Sequence, residues 1–174
     1  MIITGNEILK LISRGDIEIT PFNPKNVNPN SYDLTLAPKL LMYTDPILDT
    51  KSKPSTSEIS IPSEGLILKP GEIYIGSVNE LTFAPNHVGV VYGKSSLGRL
   101  GLVPHICAGF VDSGYKGKLT LELAVIRPVR IYAGMKICQI AYSEVLGELA
   151  QYAGKYQNGI EPEASKSYKD FNNE

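Results

Sequence analysis

Leu119-Thr120-Leu121-Glu122-Leu123-Ala124-Val125 alternates large apolar residues with smaller or polar ones. Successive side chains of a strand point to opposite faces. This stretch therefore predicts a strand with Leu119, Leu121 and Leu123 on a buried face and Thr120, Glu122 and Ala124 on the other. In a plain two-sheet protein Glu122 would be a solvated outer-face residue.

Working outward, Val88 to Tyr92, Val129 to Tyr132 and Ile137 to Tyr142 are short runs rich in β-branched and aromatic residues. Leu66-Ile67-Leu68 and Ile73-Tyr74-Ile75 flank Lys69-Pro70-Gly71, a turn in which proline presets φ and glycine permits a positive one. Many short strands punctuated by Gly and Pro suggest a sandwich or barrel, not a parallel α/β sheet. One helix is expected, at the start. Thr4-Gly5-Asn6-Glu7 has the capping-box spacing, Ile8, Leu9, Leu11 and Ile12 fall on one helical face, and Gly15 supplies the stop. Residues 49–64 are rich in Ser, Thr, Lys and Pro and read as a surface loop. No internal repeat is visible.

The chain has 174 residues, 43% of them hydrophobic and 20% charged, which suits one compact domain. A formal net charge of −1, with no basic stripe, gives a nucleic-acid surface little support. No apolar run reaches the ~20 residues of a membrane span, and residues 1–15 lack a signal-peptide layout, so a cytoplasmic protein is expected. Cys107 and Cys138 both lie in apolar stretches and read as buried reduced thiols. From about Ala153 the chain turns polar, while Lys155, Tyr156, Lys166 and Tyr168 interleave cations with aromatics. Composition leaves a frayed terminus and a flap over an anionic ligand equally open.

Residues 93–122 are the unusual stretch. Gly93-Lys94-Ser95-Ser96-Leu97-Gly98-Arg99 puts small hydroxyl residues beside two cations, a set suited to phosphate oxygens. Gly109, Gly114 and Gly117 allow close backbone approach to a flat ligand. His105 reads as a structural histidine bonded to loop backbone, His87 as a surface residue beside a Pro-Asn turn, and Tyr115 as either a core ring or a base-stacking one.

Five patches in order resemble the dCTP deaminase branch of the dUTPase superfamily: Asn30-Ser31-Tyr32-Asp33-Leu34, Lys94 to Arg99, Ala108 to Gly117, Lys136-Ile137-Cys138-Gln139, and Gly154-Lys155-Tyr156. The resemblance implies a distorted jelly-roll, a dUTPase-like β-barrel, forming a homotrimer with sites between subunits. It divides the chain into a β domain (1–152) and a tail over the nucleotide (153–174). It implies a dCTP or dUTP substrate bound with Mg²⁺ bridging the phosphates.

Carried over residue by residue, the water-activating carboxylate falls on Glu122, its partner hydroxyl on Ser95 and the water-holding carbonyl on Ala108. Asp112 matches the aspartate beside the deoxyribose, which in dUTPases also positions a hydrolytic water. Nucleotide or phosphate contacts fall on Lys94, Ser95, Ser96, Leu97, Gly98, Arg99, Thr120, Leu121, Gln139, Tyr152, Lys155 and Tyr156. Asp33 falls at a subunit interface or near a metal-bound water. Zinc deaminases carry His-x-Glu followed by Pro-Cys-x-x-Cys. Here His87 precedes Val-Gly, His105 precedes Ile-Cys, and no Cys-x-x-Cys occurs, so a zinc-free deaminase is expected.

Ala108-Gly109-Phe110-Val111-Asp112 resembles the bifunctional members of the family, which convert dCTP to dUMP, ammonia and diphosphate and so supply thymidylate synthesis. In that reading Gly109 leaves room near the α-phosphate and Phe110 packs under the nucleotide. The alternatives are a deaminase giving dUTP, a dUTPase alone, and a non-catalytic nucleotide-binding β-module. The sequence departs from the pattern at Lys94 and Lys166, where arginine is usual, and at Gly159, where glutamine is common. Cys107 stands where threonine is usual, which bears on inhibition by dTTP.

Overall fold

The computed structural model describes residues 1–172. The first element is helix α1 (Gly5–Arg14), and its ends follow from local chemistry. The Thr4 hydroxyl accepts from the Glu7 N–H at 3.3 Å, and Gly15 sits at φ 80° with its N–H on the Ile12 carbonyl. The reciprocal half of the capping box is not made, because the Glu7 carboxylate takes the Lys10 ammonium at 2.9 Å. The buried face is Gly5, Ile8 and Leu11; Ile12 is partly buried and Leu9, expected with them, is exposed.

Thirteen strands follow among the described residues: β1 (Glu18–Thr20), β2 (Val27–Asn28), β3 (Ser31–Thr35), β4 (Lys39–Tyr43), β5 (Thr56–Ser60), β6 (Leu66–Leu68), β7 (Tyr74–Phe83), β8 (His87–Gly93), β9 (Leu102–Val103), β10 (Phe110–Val111), β11 (Lys116–Val125), β12 (Val129–Ile131) and β13 (Lys136–Glu144). Two one-turn helices complete them, α2 (Ser95–Gly98) and α3 (Lys169–Asn172). One sheet runs β5-β4-β7-β11-β9, with β1 also on β7; a second runs β10-β8-β13-β3-β2; β12 pairs with β6. All pairings are antiparallel. The chain is mainly β with a short N-terminal helix, as the alternation and turns predict. No described helix is long and apolar enough to cross a membrane.

One core draws from both large sheets: Tyr32, Leu34, Ile137, Ile140 and Tyr142 from one, Leu40, Val78, Leu119, Leu121 and Leu123 from the other. The expected alternation holds along β11, where the odd positions from Gly117 to Val125 are buried and the even ones half-buried. Register in the second sheet joins three distant segments. Gln139 of β13 lies opposite Asp33 of β3 on one side and Tyr92 of β8 on the other, next to the strand end that leads into Lys94.

Three expectations need correction. Within 49–64, residues Thr56–Ser60 form β5, paired along β4 from Lys39↔Ser60 to Tyr43↔Thr56. The segment is polar because β5 is an exposed sheet edge; its chemistry reads as loop while its backbone is paired. Cys107 is exposed; Cys138 is buried, and burial, reinforced by Glu80 and Asp33, pushes its thiol pKa up. His87 is half-buried, with its backbone carbonyl holding the Ser113 hydroxyl at 3.2 Å.

Gly5 is where α1 meets the β2–β3 connection. Its N–H donates to the Pro29 carbonyl at 2.7 Å, and a Cβ there would lie 2.0 Å from the Asn28 carbonyl oxygen. Gly5→Ala should therefore lower unfolding free energy by about 1–3 kcal/mol, read from the urea midpoint, because backbone must move to admit the methyl.

Candidate active site

The predicted site residues gather in two separate depressions. The first, about 440 Å³, is walled by the β2–β3 connection on one side and by Lys94, Ser95 and Ser96 on the other, with Gln139 between. Lys94 caps α2 through its carbonyl, which accepts the Leu97 and Gly98 N–H groups at 3.0 and 2.9 Å. Ser95 and Ser96 are exposed on this turn.

Two residues that line it, Asn28 and Lys94, converge on a buried carboxylate behind them. Asp33 is 3% exposed; its Oδ1 accepts from Lys94 Nζ at 2.5 Å and Asn28 Nδ2 at 2.8 Å, and its Oδ2 from Lys136 Nζ at 3.0 Å. Burial alone would raise the carboxyl pKa, but the hydrogen bonds from Lys94, Lys136 and Asn28 outweigh it and hold the group below the ordinary carboxylate range. The Gln139 side chain is engaged at both ends, accepting from Ser31 Oγ at 2.6 Å and donating to the Gly93 carbonyl at 3.1 Å.

The second depression is a cleft, also about 440 Å³, along the half-buried face of β11. Thr120 and Glu122 form its floor, Ala108, Phe110 and Asp112 one wall, and Tyr152, Tyr156 and Glu163 of the tail another. Glu122 Oε2 accepts the Ile106 N–H at 3.2 Å, so the 105–109 loop orients the carboxylate. That loop is tied to β8 at Val91, whose N–H donates to the Gly109 carbonyl and whose carbonyl lies 2.7 Å from His105 Nε2. A side chain at Gly109 would meet the His105 ring and the Val91 carbonyl oxygen, both at 2.7 Å. Close packing, therefore, is one reason for glycine at this position.

The tail is folded onto the body. Its backbone bonds to β11 through Lys118 N–H to Gly159 O at 2.7 Å and Asn158 N–H to Lys116 O at 2.9 Å. Gln157 spans Lys116 N–H, the Gly114 carbonyl and the Tyr152 carbonyl. Thr120 Oγ1 accepts the Glu163 N–H at 3.3 Å, and Glu163 pairs with Lys166 at 2.7 Å. Tyr115 lies edge-on to Tyr152, ring centroids 5.7 Å apart. Burial, with Glu163 and Tyr152 nearby, pushes the Tyr115 pKa up to about 12, so the phenol keeps its proton and donates to the Lys118 carbonyl.

Several predicted contacts lie outside both depressions. The Leu121 side chain is fully buried in the core, since it shares the Leu119/Leu123 face, so only its backbone is available to a ligand. Gly109 is buried, Leu97 packs against the core, and Gly98 and Arg99 are exposed and line neither depression. Lys155 is paired with Asp170 and lies over the Tyr156 ring, and it does not itself line the Glu122 cleft. Glu163 went unnoticed in the sequence. No local pattern marks it, because a long-range fold of the tail delivers it. Among the described residues no cluster of three His, Cys, Asp or Glu side chains is placed to hold a metal.

Comparison with known proteins identifies the family. The family model for dCTP deaminase-like proteins matches residues 2–145. A Clostridium beijerinckii protein named dCTP deaminase, dUMP-forming, is 48% identical over 98% of this chain and 99% of its own length. A Leptospira biflexa protein of the same name is 49% identical over 98% of each. The crystal structure of a dCTP deaminase from Agrobacterium tumefaciens superimposes with TM-score 0.66 at 22% identity, covering 83% of this chain and 48% of that one. This chain thus spans about half of that longer neighbour. Equine infectious anaemia virus dUTPase shares the fold at TM-score 0.51 and 17% identity, over 81% of this chain and 97% of its own. With its two-sheet fold, its Glu122 cleft and near-full-length kinship to these proteins, the chain belongs to the dCTP deaminase-like family.

Proposed function

We propose that this protein converts dCTP and two waters to dUMP, ammonia and diphosphate. The observation that carries the reading is Glu122: a half-buried carboxylate, oriented by a backbone N–H, on the floor of a cleft that also holds Ala108 and Asp112. Support for both steps comes from relatives at 48–49% identity named dUMP-forming and from the Ala108-Gly109-Phe110-Val111-Asp112 segment.

In the first step Glu122 takes a proton from a water whose oxygen attacks C4 of cytosine. It passes that proton to the ring nitrogen N3, then takes the proton of the new C4 hydroxyl and hands it to the amine, so the C4 carbonyl forms as the C4–N bond breaks and ammonia leaves. Ser95 and the Ala108 carbonyl orient the water. In the second step Asp112 accepts a proton from a second water that attacks the α-phosphorus, and the α–β bridging bond breaks to release diphosphate. Phe110, 62% exposed at the cleft, and Tyr115 provide apolar faces for base and sugar. Mg²⁺ would accompany the triphosphate. Bound there, it would offset phosphate charge.

Charge separation argues that a working site is shared between copies of the chain. The cleft is lined by Asp112, Glu122 and Glu163 and by no cation, whereas Lys94 and the two serines line the other depression. A triphosphate whose base rests on Glu122 needs cations that one copy places elsewhere. In the proposed homotrimer the Lys94–Arg99 turn of one subunit faces the cleft of the next, with Thr120, the Leu121 backbone, Tyr152 and Tyr156 around the base and sugar. Lys155 reaches the phosphates after exchanging Asp170 for them. Gln139 braces the turn.

Three outcomes follow. Glu122→Gln should reduce ammonia release by about 10²–10⁴-fold while dCTP still binds; near-normal release would remove the acid/base role. Arg99→Ala should weaken triphosphate binding by roughly 1.5–3 kcal/mol, measured by calorimetry. Ser95→Ala and Glu122→Gln variants, each inactive alone, should regain about a quarter of wild-type activity after unfolding and refolding as an equal mixture; no recovery would place both residues in one chain's site.

A further inference from the structure

The buried aspartate beneath the first depression has no part in the chemistry above, yet its contacts give it a task. We propose that Asp33 is a positioning residue for Lys94, aiming the lysine ammonium into the depression where phosphate is bound. The inference rests on the preceding assignment of Lys94 to the triphosphate.

A lysine head is a compact charge on a flexible stem, and left alone it samples many rotamers. Here Lys94 is only 22% exposed on its side chain and its Nζ rests on Asp33 Oδ1 at 2.5 Å. An ammonium has three N–H donors, so one bond to Asp33 leaves others facing the depression that Lys94 lines. Asp33 is itself held from other sides, by Asn28 Nδ2 on Oδ1 and by Lys136 on Oδ2. Lys136 is anchored in turn, donating to the Lys25 carbonyl at 3.3 Å. The backbone entering Lys94 is fixed as well, because Gln139 bridges Ser31 to the Gly93 carbonyl. Carboxylate, ammonium and strand end thus form one braced unit, in which Lys94 has its direction set before any ligand arrives.

This role and a simple charge effect predict opposite signs. Removing a negative charge beside a phosphate site should tighten triphosphate binding by electrostatics alone. Loss of positioning should weaken it instead. The experiment measures KM and kcat for dCTP, with thermal melts as a folding control, for wild type, Asp33→Asn, Lys94→Met and the double variant.

Positioning predicts that Asp33→Asn raises KM about tenfold with kcat within about threefold, and that the double variant is no worse than Lys94→Met alone. An unchanged or lower KM for Asp33→Asn, or effects that multiply in the double variant, would overturn the inference while leaving the phosphate role of Lys94 intact. An unchanged KM for Lys94→Met would overturn both. If Asp33→Asn does not fold, Asn28→Ala frees Asp33 Oδ1 from one donor without changing any charge. A KM rise of about threefold then supports positioning, and no rise overturns it.

Discussion

The two-residue period of β11 governs both the interior and the site. Its odd positions fill the core with Leu119, Leu121 and Leu123, each almost wholly buried. Burying a leucine side chain contributes roughly 1.5–3 kcal/mol, so three in one strand make a shift of register by one residue very costly. The same alternation holds Thr120 and Glu122 on the opposite face. The carboxylate is thus kept in its cleft by the hydrophobic demand of its neighbours, and the 105–109 loop need only supply the Ile106 N–H that orients it.

Electrostatics then divides the labour. Three carboxylates line the β11 cleft; Glu163 is answered by Lys166, and Asp112 and Glu122 are left to face a ligand. The cationic turn is built elsewhere, above a buried aspartate that would be costly in isolation but here receives three donors. Keeping the two sets apart lets each be satisfied in the single chain. Bringing the cations of one copy to the carboxylates of another would couple assembly to ligand binding.

The tail shows how polar sequence acquires structure without a hydrophobic face of its own. Residues from Tyr152 to Ser165 dock through backbone bonds to β11 and through side chains such as Gln157, each bond replacing one otherwise made to water. Gly117 and Gly159 approach so closely that a Cβ at Gly117 would lie 2.8 Å from the Gly159 carbonyl oxygen. Such bonds are individually worth only about 0.5–1.5 kcal/mol net. Tyr152, Tyr156 and Glu163 nonetheless complete a wall of the cleft.

Local rules in the sequence determined α1, its Thr4 and Gly15 ends, the Gly71 turn at φ 85°, the alternation of β11 and the β-rich class. Each depends on neighbours a few residues apart. The motifs around Lys94, Ala108, Glu122 and Gln139 were legible by their residue types and their resemblance to a family. Tertiary structure alone decided which of them meet. It separated the Lys94 turn from Glu122, placed Gln139 between Asp33 and Tyr92, paired the polar β5 edge and delivered Glu163 to the cleft. Strand pairing and tail docking join residues tens of positions apart, and polar side chains carry no periodic signal of the partner they will find.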